Sequence, residues 1–138
     1  MPKPNELLTL KLSHARESVM RYFRPSLNHH GLTEQQWRVI RVLHEHGDLE
    51  INKLAMFCCI VKPSLSTVLT RMESAGFVSR QKVELDKRRV LVRLHPKGRD
   101  IFEALAYDME RNHQRLQERY GQEKWQRLIV LLDDLNKV

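Results

Sequence analysis

The chain has no long apolar run: nothing in its 138 residues approaches the roughly 20 needed to span a bilayer, and its amino terminus lacks the apolar core of a secretory signal. No membrane partner is expected, and the cytoplasm is the expected compartment. Cysteine is scarce. Cys58 and Cys59 are neighbours that cannot close a stabilising loop, and no CxxC or Cys/His metal spacing accompanies them. Reduced structural thiols, no metal and no cofactor are the expectation. HExxH, GxSxG and a glycine-rich phosphate loop are all missing, and Cys58 has no evident base near it, so the chain does not read as an enzyme. No repeat, low-complexity tract or Gly/Ser linker divides it, and its length suits one domain with one modest core.

What is present is positive charge, in one place. The formal charge is +7 and the pI about 9.7, which favours an anionic partner, either nucleic acid or an anionic membrane surface. Between Ile60 and Arg99 ten Lys and Arg residues face only Glu73, Glu84 and Asp86, an excess of seven that equals the charge of the whole chain. The remainder is balanced.

Hydrophobic periodicity places the elements. Leu8, Leu12, Ala15, Val19, Phe23 and Leu27 recur at helical steps, predicting one helix from about Asn5 to His30 that Pro25 kinks or bends. Thr33 and Gln36 form a capping box opening a second helix, with Trp37, Ile40 and Leu43 inward and Gly47 as its stop. Leu54, Ala55 and Cys58 suggest a short third helix. Pro63 suits the first position of a fourth, in which Leu65, Val68, Leu69 and Met72 make a buried stripe. Val78–Lys82 and Val90–Leu94 alternate like strands around a charged loop from Val83 to Arg89. Pro96 restarts helix to about Tyr120, and Trp125, Leu128, Ile129, Leu132 and Leu135 mark a last one.

The predicted fold is mainly α with a small β-hairpin wing: a winged helix-turn-helix with a helical dimerisation region from both termini. Two short helices, a tight turn and a basic hairpin let the second helix lie in a DNA major groove. Its outer face carries Ser64, Ser66, Thr67, Thr70 and Arg71 behind Lys62 and Pro63, short hydrogen-bonding groups that let a helix approach base edges and phosphates closely. A merely solvated helix face is the plainer alternative.

"LTEQQWRVIRVL", "INKLA", "SLSTVLTRMESAGFVSR" and "DKRRVLVRLHPKGRDIF" resemble, in order and spacing, the signature blocks of MarR-type regulators over nearly the whole chain. The resemblance implies a DNA-binding repressor with residues 32–100 as the DNA-binding lobe and 5–30 with 101–138 as the dimerisation region. Its most specific piece is the wing: Asp86 is implied to brace it while Arg88, flanked by Lys87 and Arg89, enters the minor groove. The chain departs from the family at Cys59, where glycine is usual, at Val61 in place of a polar cap, and at His95-Pro96 after the wing.

A domain this small cannot bury Leu7, Leu8, Leu12, Trp125, Ile129 and Leu132 alone, so a homodimer is expected, and with it a palindromic double-stranded operator. "FCCIVKPSLSTVLTRMESAGFV" is similar to family members that govern hydroxyphenylacetate catabolism, which implies repression of an aromatic-acid catabolic operon and release by a small aromatic carboxylic acid. Thr9, Ser13, Arg16, Met20 and Phe23 fall on one face of the first helix, implied by the family to be inward. An arginine there can take a carboxylate while Met and aromatic walls suit a flat ring. Ser13, His14, Arg16, Met20, Trp37 and Arg71 are the candidate ligand residues. Ordinary ion pairs, Arg16 with Glu6 and Arg71 with Glu73 or Asp86, remain open. The rival reading is a redox- or metal-responsive regulator using Cys58/Cys59 or histidines.

Overall fold

In the computed structural model, which describes residues 4–138 and side chains from Leu7 onward, the expected long first helix is two helices. Helix α1 spans Pro4–Met20 and α2 spans Arg24–His29. Pro25 has no amide to donate and its ring clashes with a preceding carbonyl, so the chain breaks one turn ahead of it. The Tyr22 and Phe23 amides bond Val19 and Met20 in tightened turns, and the prolyl residue becomes part of a fresh helical start.

The next helix, α3 (Glu34–His46), begins on the anticipated box: the Gln36 amide donates to Thr33 Oγ1 and the Thr33 amide to Gln36 Oε1, both at 3.1 Å. It ends at Gly47 with φ 78°. A two-residue strand β1 (Leu49–Glu50) follows, then α4 (Ile51–Cys58) and α5 (Lys62–Ser74), between which the chain turns through 103°. That lies within the roughly 90–120° of helix-turn-helix pairs.

Three helix ends share one geometry, in which an amide reaches back five residues to a carbonyl: Leu32 to Leu27, Ile60 to Ala55 and Phe77 to Met72. The residue before each of these is left-handed. Gly31 and Gly76 fill two of the places at no steric cost; Cys59, at φ 53° and ψ 45°, fills the third.

The sheet is antiparallel, ordered β1-β3-β2, with β2 spanning Val78–Val83 and β3 spanning Asp86–Leu94. This corrects the expected loop at 83–89. Only Glu84 and Leu85 form the turn, and the register breaks between Lys82, opposite Val90, and Val83, opposite Asp86. Helix α6 (Pro96–Tyr120) starts against the sheet, and α7 (Gln122–Asn136) ends the chain.

Two compact units result: Ser26–Ala106, and Met1–Pro25 with Tyr107–Val138. The first contains the main core. Val39, Ile40, Leu54, Leu65, Leu69, Met72 and Val92 are fully buried where α3, α4, α5 and β3 pack together. Val68, expected inside, is only half-buried at the edge of the stripe. Burying Leu65, Leu69 and Met72 contributes about 1.5–3 kcal/mol apiece. This outweighs the few tenths per residue that the Ser/Thr-rich outer face of α5 loses in helix propensity. In the second unit Asn112 and Leu116 are buried, whereas Leu7, Leu8, Leu12, Ile129, Val130 and Leu131 are exposed. Among the described residues no single helix is long and apolar enough to cross a membrane.

Candidate nucleic-acid interface

Helix α5 is held at its start by backbone alone. Val61 caps it without a side-chain bond, Lys62 and Pro63 occupy its first two positions, and no acid stands in its first turn. Lys62, Pro63 and Ser64 of that first turn are exposed, and a helix start carries the positive partial charge that a phosphate requires. From α3, Arg38 secures the turn just ahead of α5: its Nη1 donates to the Cys58 carbonyl at 2.6 Å and reaches that of Cys59 at 3.5 Å, and its Nη2 donates to Glu34 at 2.7 Å.

The hydroxyl residues of α5 fall into two groups. Ser64 and Thr67 line, with Arg71, a cavity of about 290 Å³ shared with Thr33, Gln35 and Gln36 at the start of α3. Ser66 and Thr70 instead turn toward β2, where Arg80 Nη1 donates to Ser66 Oγ at 3.2 Å and Nη2 to Thr70 Oγ1 at 2.8 Å, while Nε bonds Glu73. Thr67 and Thr70 donate to the carbonyls four residues back, Pro63 and Ser66, at 3.3 and 3.0 Å, so each oxygen is left as an acceptor.

In the wing, Asp86 Oδ1 accepts from the backbone amide and the Nε of Arg88, whose side chain is 92% exposed. Lys87 is exposed beside it. Arg89 points back to β1, paired with Glu50, whose carboxyl that hydrogen bond holds below the ordinary carboxylate range. The carboxylates that would neutralise Arg71 are thus engaged: Glu73 with Arg80, and Asp86 with Arg88. Among the described residues Arg71 has no ion pair.

The candidate ligand residues are divided between the units. Ser13, His14 and Arg16 are exposed on α1 and Met20 half-buried at its end, while Glu6, offered as a partner of Arg16, lies outside the described side chains. Trp37 is buried in the other unit, its ring stacked on Phe102 at 5.6 Å, and Phe102 stacks in turn on His44 at 3.7 Å. His46 stacks on Phe57, on a different side of α3. Among the described residues no three His, Cys, Asp or Glu side chains gather as metal ligands. Cys58 is buried, which pushes its thiol up to about 11 against the opposing pull of the Arg38 charge; Cys59 is exposed.

Two partners escaped the sequence. Arg80 counted only as charge, since its acceptors lie seven to fourteen residues away on another element. Lys97, which donates to the Ala75 carbonyl at 2.7 Å and sits over Phe77, closes the end of α5 in the same unanticipated way.

A right-angled helix pair, a basic hairpin and a hydroxyl-rich outer helix define a winged helix-turn-helix DNA-binding protein. A model of the MarR family matches residues 32–90. The chain is 51% identical to the solved structure of transcriptional regulator PA4135, covering 100% of this chain and 98% of that one with a TM-score of 0.90. It is 38% identical to the homoprotocatechuate degradative operon repressor of Escherichia coli over 94% of this chain and 88% of the relative. It is 40% identical to NadR, solved with 4-hydroxyphenylacetate, over 95% and 93% of the two chains with a TM-score of 0.79. The chain belongs to the MarR family.

Proposed function

We propose that this protein is a dimeric, cytoplasmic, sequence-specific repressor of an aromatic-acid catabolic operon, released from a palindromic operator by hydroxyphenylacetate-type ligands. The observation that carries the DNA-binding part is the location of the net charge. The whole excess of seven lies between Ile60 and Arg99, the segment that forms α5, the wing and the first turn of α6. Lys62, Pro63, Ser64, Ser66, Thr67, Thr70 and Arg71 occupy the major groove in this reading, and Asp86 presents Arg88, with Lys87 and Arg89 beside it, to the minor groove, where negative potential is enhanced. The exposed leucines of α1 and α7 supply the dimer interface. The repressor of homoprotocatechuate degradation and the NadR complex with 4-hydroxyphenylacetate support the effector class.

Arg16 takes the ligand carboxylate in this reading, with Ser13, His14 and Met20 beside it on the same helix, while Trp37 and Arg71 are the candidates within the DNA-binding unit. The reading is tested by titrating the protein against a duplex it selects from a random pool. Affinity falls on the order of a thousandfold between about 50 and 200 mM salt if six or more phosphates are engaged. 4-Hydroxyphenylacetate releases the duplex. Arg16→Ala keeps DNA binding but loses roughly 1.5–3 kcal/mol of ligand affinity; an unchanged ligand midpoint places the anchor elsewhere. Burial of Cys58 runs against that thiol as a redox sensor, because a sensor thiol must ionise readily, and leaves the exposed Cys59 as the cysteine on which the redox alternative turns.

A further inference from the structure

We propose that Arg80 is a positioning residue for operator reading: it does not touch DNA but fixes Ser66, Thr70 and Glu73 of α5 to the wing strand β2. The proposal rests on the operator-binding reading above.

The guanidinium is committed on every side. Nε bonds Glu73, Nη1 donates to the hydroxyl and, at 3.4 Å, the carbonyl of Ser66, and Nη2 donates to Thr70. Its side chain is 25% exposed, against 92% for Arg88. A planar fork spent on three residues of one helix has little left for a phosphate, and a lysine ammonium could not bridge the same acceptors. The helix and wing enter neighbouring grooves, and Arg80 joins them by side-chain bonds, so both approach the duplex as one piece.

These bonds also assign the hydroxyls their polarity. Thr70 gives its hydrogen to the Ser66 carbonyl and receives one from Arg80, so only a lone pair remains: Thr70 can accept, from the exocyclic amine of adenine or cytosine, but cannot donate. Ser66 Oγ receives from Arg80 and keeps its own hydrogen for an acceptor such as a purine N7, a carbonyl or a phosphate. Without Arg80 both hydroxyls rotate and serve either role, which blurs the distinction between base pairs.

The test compares the full-length parent, Arg80→Lys, Arg80→Ala and Glu73→Gln on a duplex selected by the parent and on a shuffled duplex of equal composition, over a range of salt, with thermal melting as the check on folding. Arg80→Lys keeps the charge and loses the fork. Its preference for the selected over the shuffled duplex falls by about tenfold, while shuffled binding and the salt slope stay unchanged. Arg80→Ala lowers the preference at least as far. Glu73→Gln, which leaves Arg80 in place and so guards against a variant that fails to fold, also lowers it. If Arg80 instead grips a phosphate, Arg80→Lys retains the preference, Arg80→Ala weakens both duplexes alike with a slope shallower by about one, and Glu73→Gln strengthens both. Those results overturn the proposal. A parent that enriches no duplex from the pool overturns the operator reading itself, a failure separate from that of Arg80.

Discussion

Asp86 holds Arg88 twice with one oxygen: Oδ1 accepts the backbone amide at 3.1 Å and the guanidinium Nε at 3.2 Å. Such an exposed pair adds at most about 1 kcal/mol to stability, so its value lies in aim. Bound through Nε, the guanidinium keeps its remaining N–H groups in solvent.

Arg88→Ala is therefore expected to cost roughly 1–3 kcal/mol of operator affinity without lowering the melting temperature. Asp86→Ala should lose less, because the arginine survives but wanders. A gel-shift titration of both variants checks the order; equal affinity of Arg88→Ala and parent would remove the wing from the minor groove.

Cys59 occupies the left-handed position that Gly31 and Gly76 fill at the other two helix ends of the same type. A non-glycine residue there costs about 1–2 kcal/mol, partly offset by the extra freedom glycine has when unfolded. Cys59→Gly should raise stability by up to about 1 kcal/mol, read as a higher urea midpoint at constant slope. The Arg38 clamp is on backbone carbonyls and survives the change. A lower midpoint would mean that the Cys59 side chain itself stabilises the turn.

At Gly98 the constraint is space. A Cβ would stand 2.5 Å from Leu94 Cδ1 and 2.6 Å from the Phe77 carbonyl oxygen, which is itself fixed by the His95 amide at 2.8 Å. Gly98→Ala should destabilise the protein by about 1–3 kcal/mol despite alanine's better helix propensity. A melting temperature at or above the parent's would show that the start of α6 can move away from the sheet.

The buried Cys58 thiol makes stability fall in alkali. Burial raises its value from 9.0 to about 11, so over that interval the unfolded chain has given up a proton that the folded one retains. The contribution is complete below pH 9 and is lost as pH rises through about 11. Urea midpoints of the parent should drop across that window more than those of Cys58→Val, and parallel curves would contradict the shift.

The readable parts of the fold are those whose causes are local. Thr33 and Gln36 sit three residues apart and satisfy each other; Gly47 ends α3 because few other residues take its backbone angles; the α5 stripe follows the helical repeat at Leu65, Leu69 and Met72. The unreadable parts depend on neighbours brought from elsewhere. β1 is two residues long, too short for periodicity, and exists because β3 lies alongside it. Lys87 to Arg89 look like a loop by charge, yet are extended because the hairpin closes at Glu84–Leu85. The hydroxyl face of α5 was legible as a set, but not its split by Arg80, which took the packing of β2 on α5 to reveal.

The strand order β1-β3-β2 leaves two open edges, and an open edge is a template on which another chain can add a strand. One edge offers only the two residues of β1. The other carries the exposed Lys82, and its break in register at Lys82/Val83 disrupts the tip that a second copy would have to match. The cations suited to a phosphate backbone also make hairpins of separate molecules repel. The wing therefore resists aggregation while the protein is free, and its self-repulsion is relieved when a phosphate backbone cancels its charge.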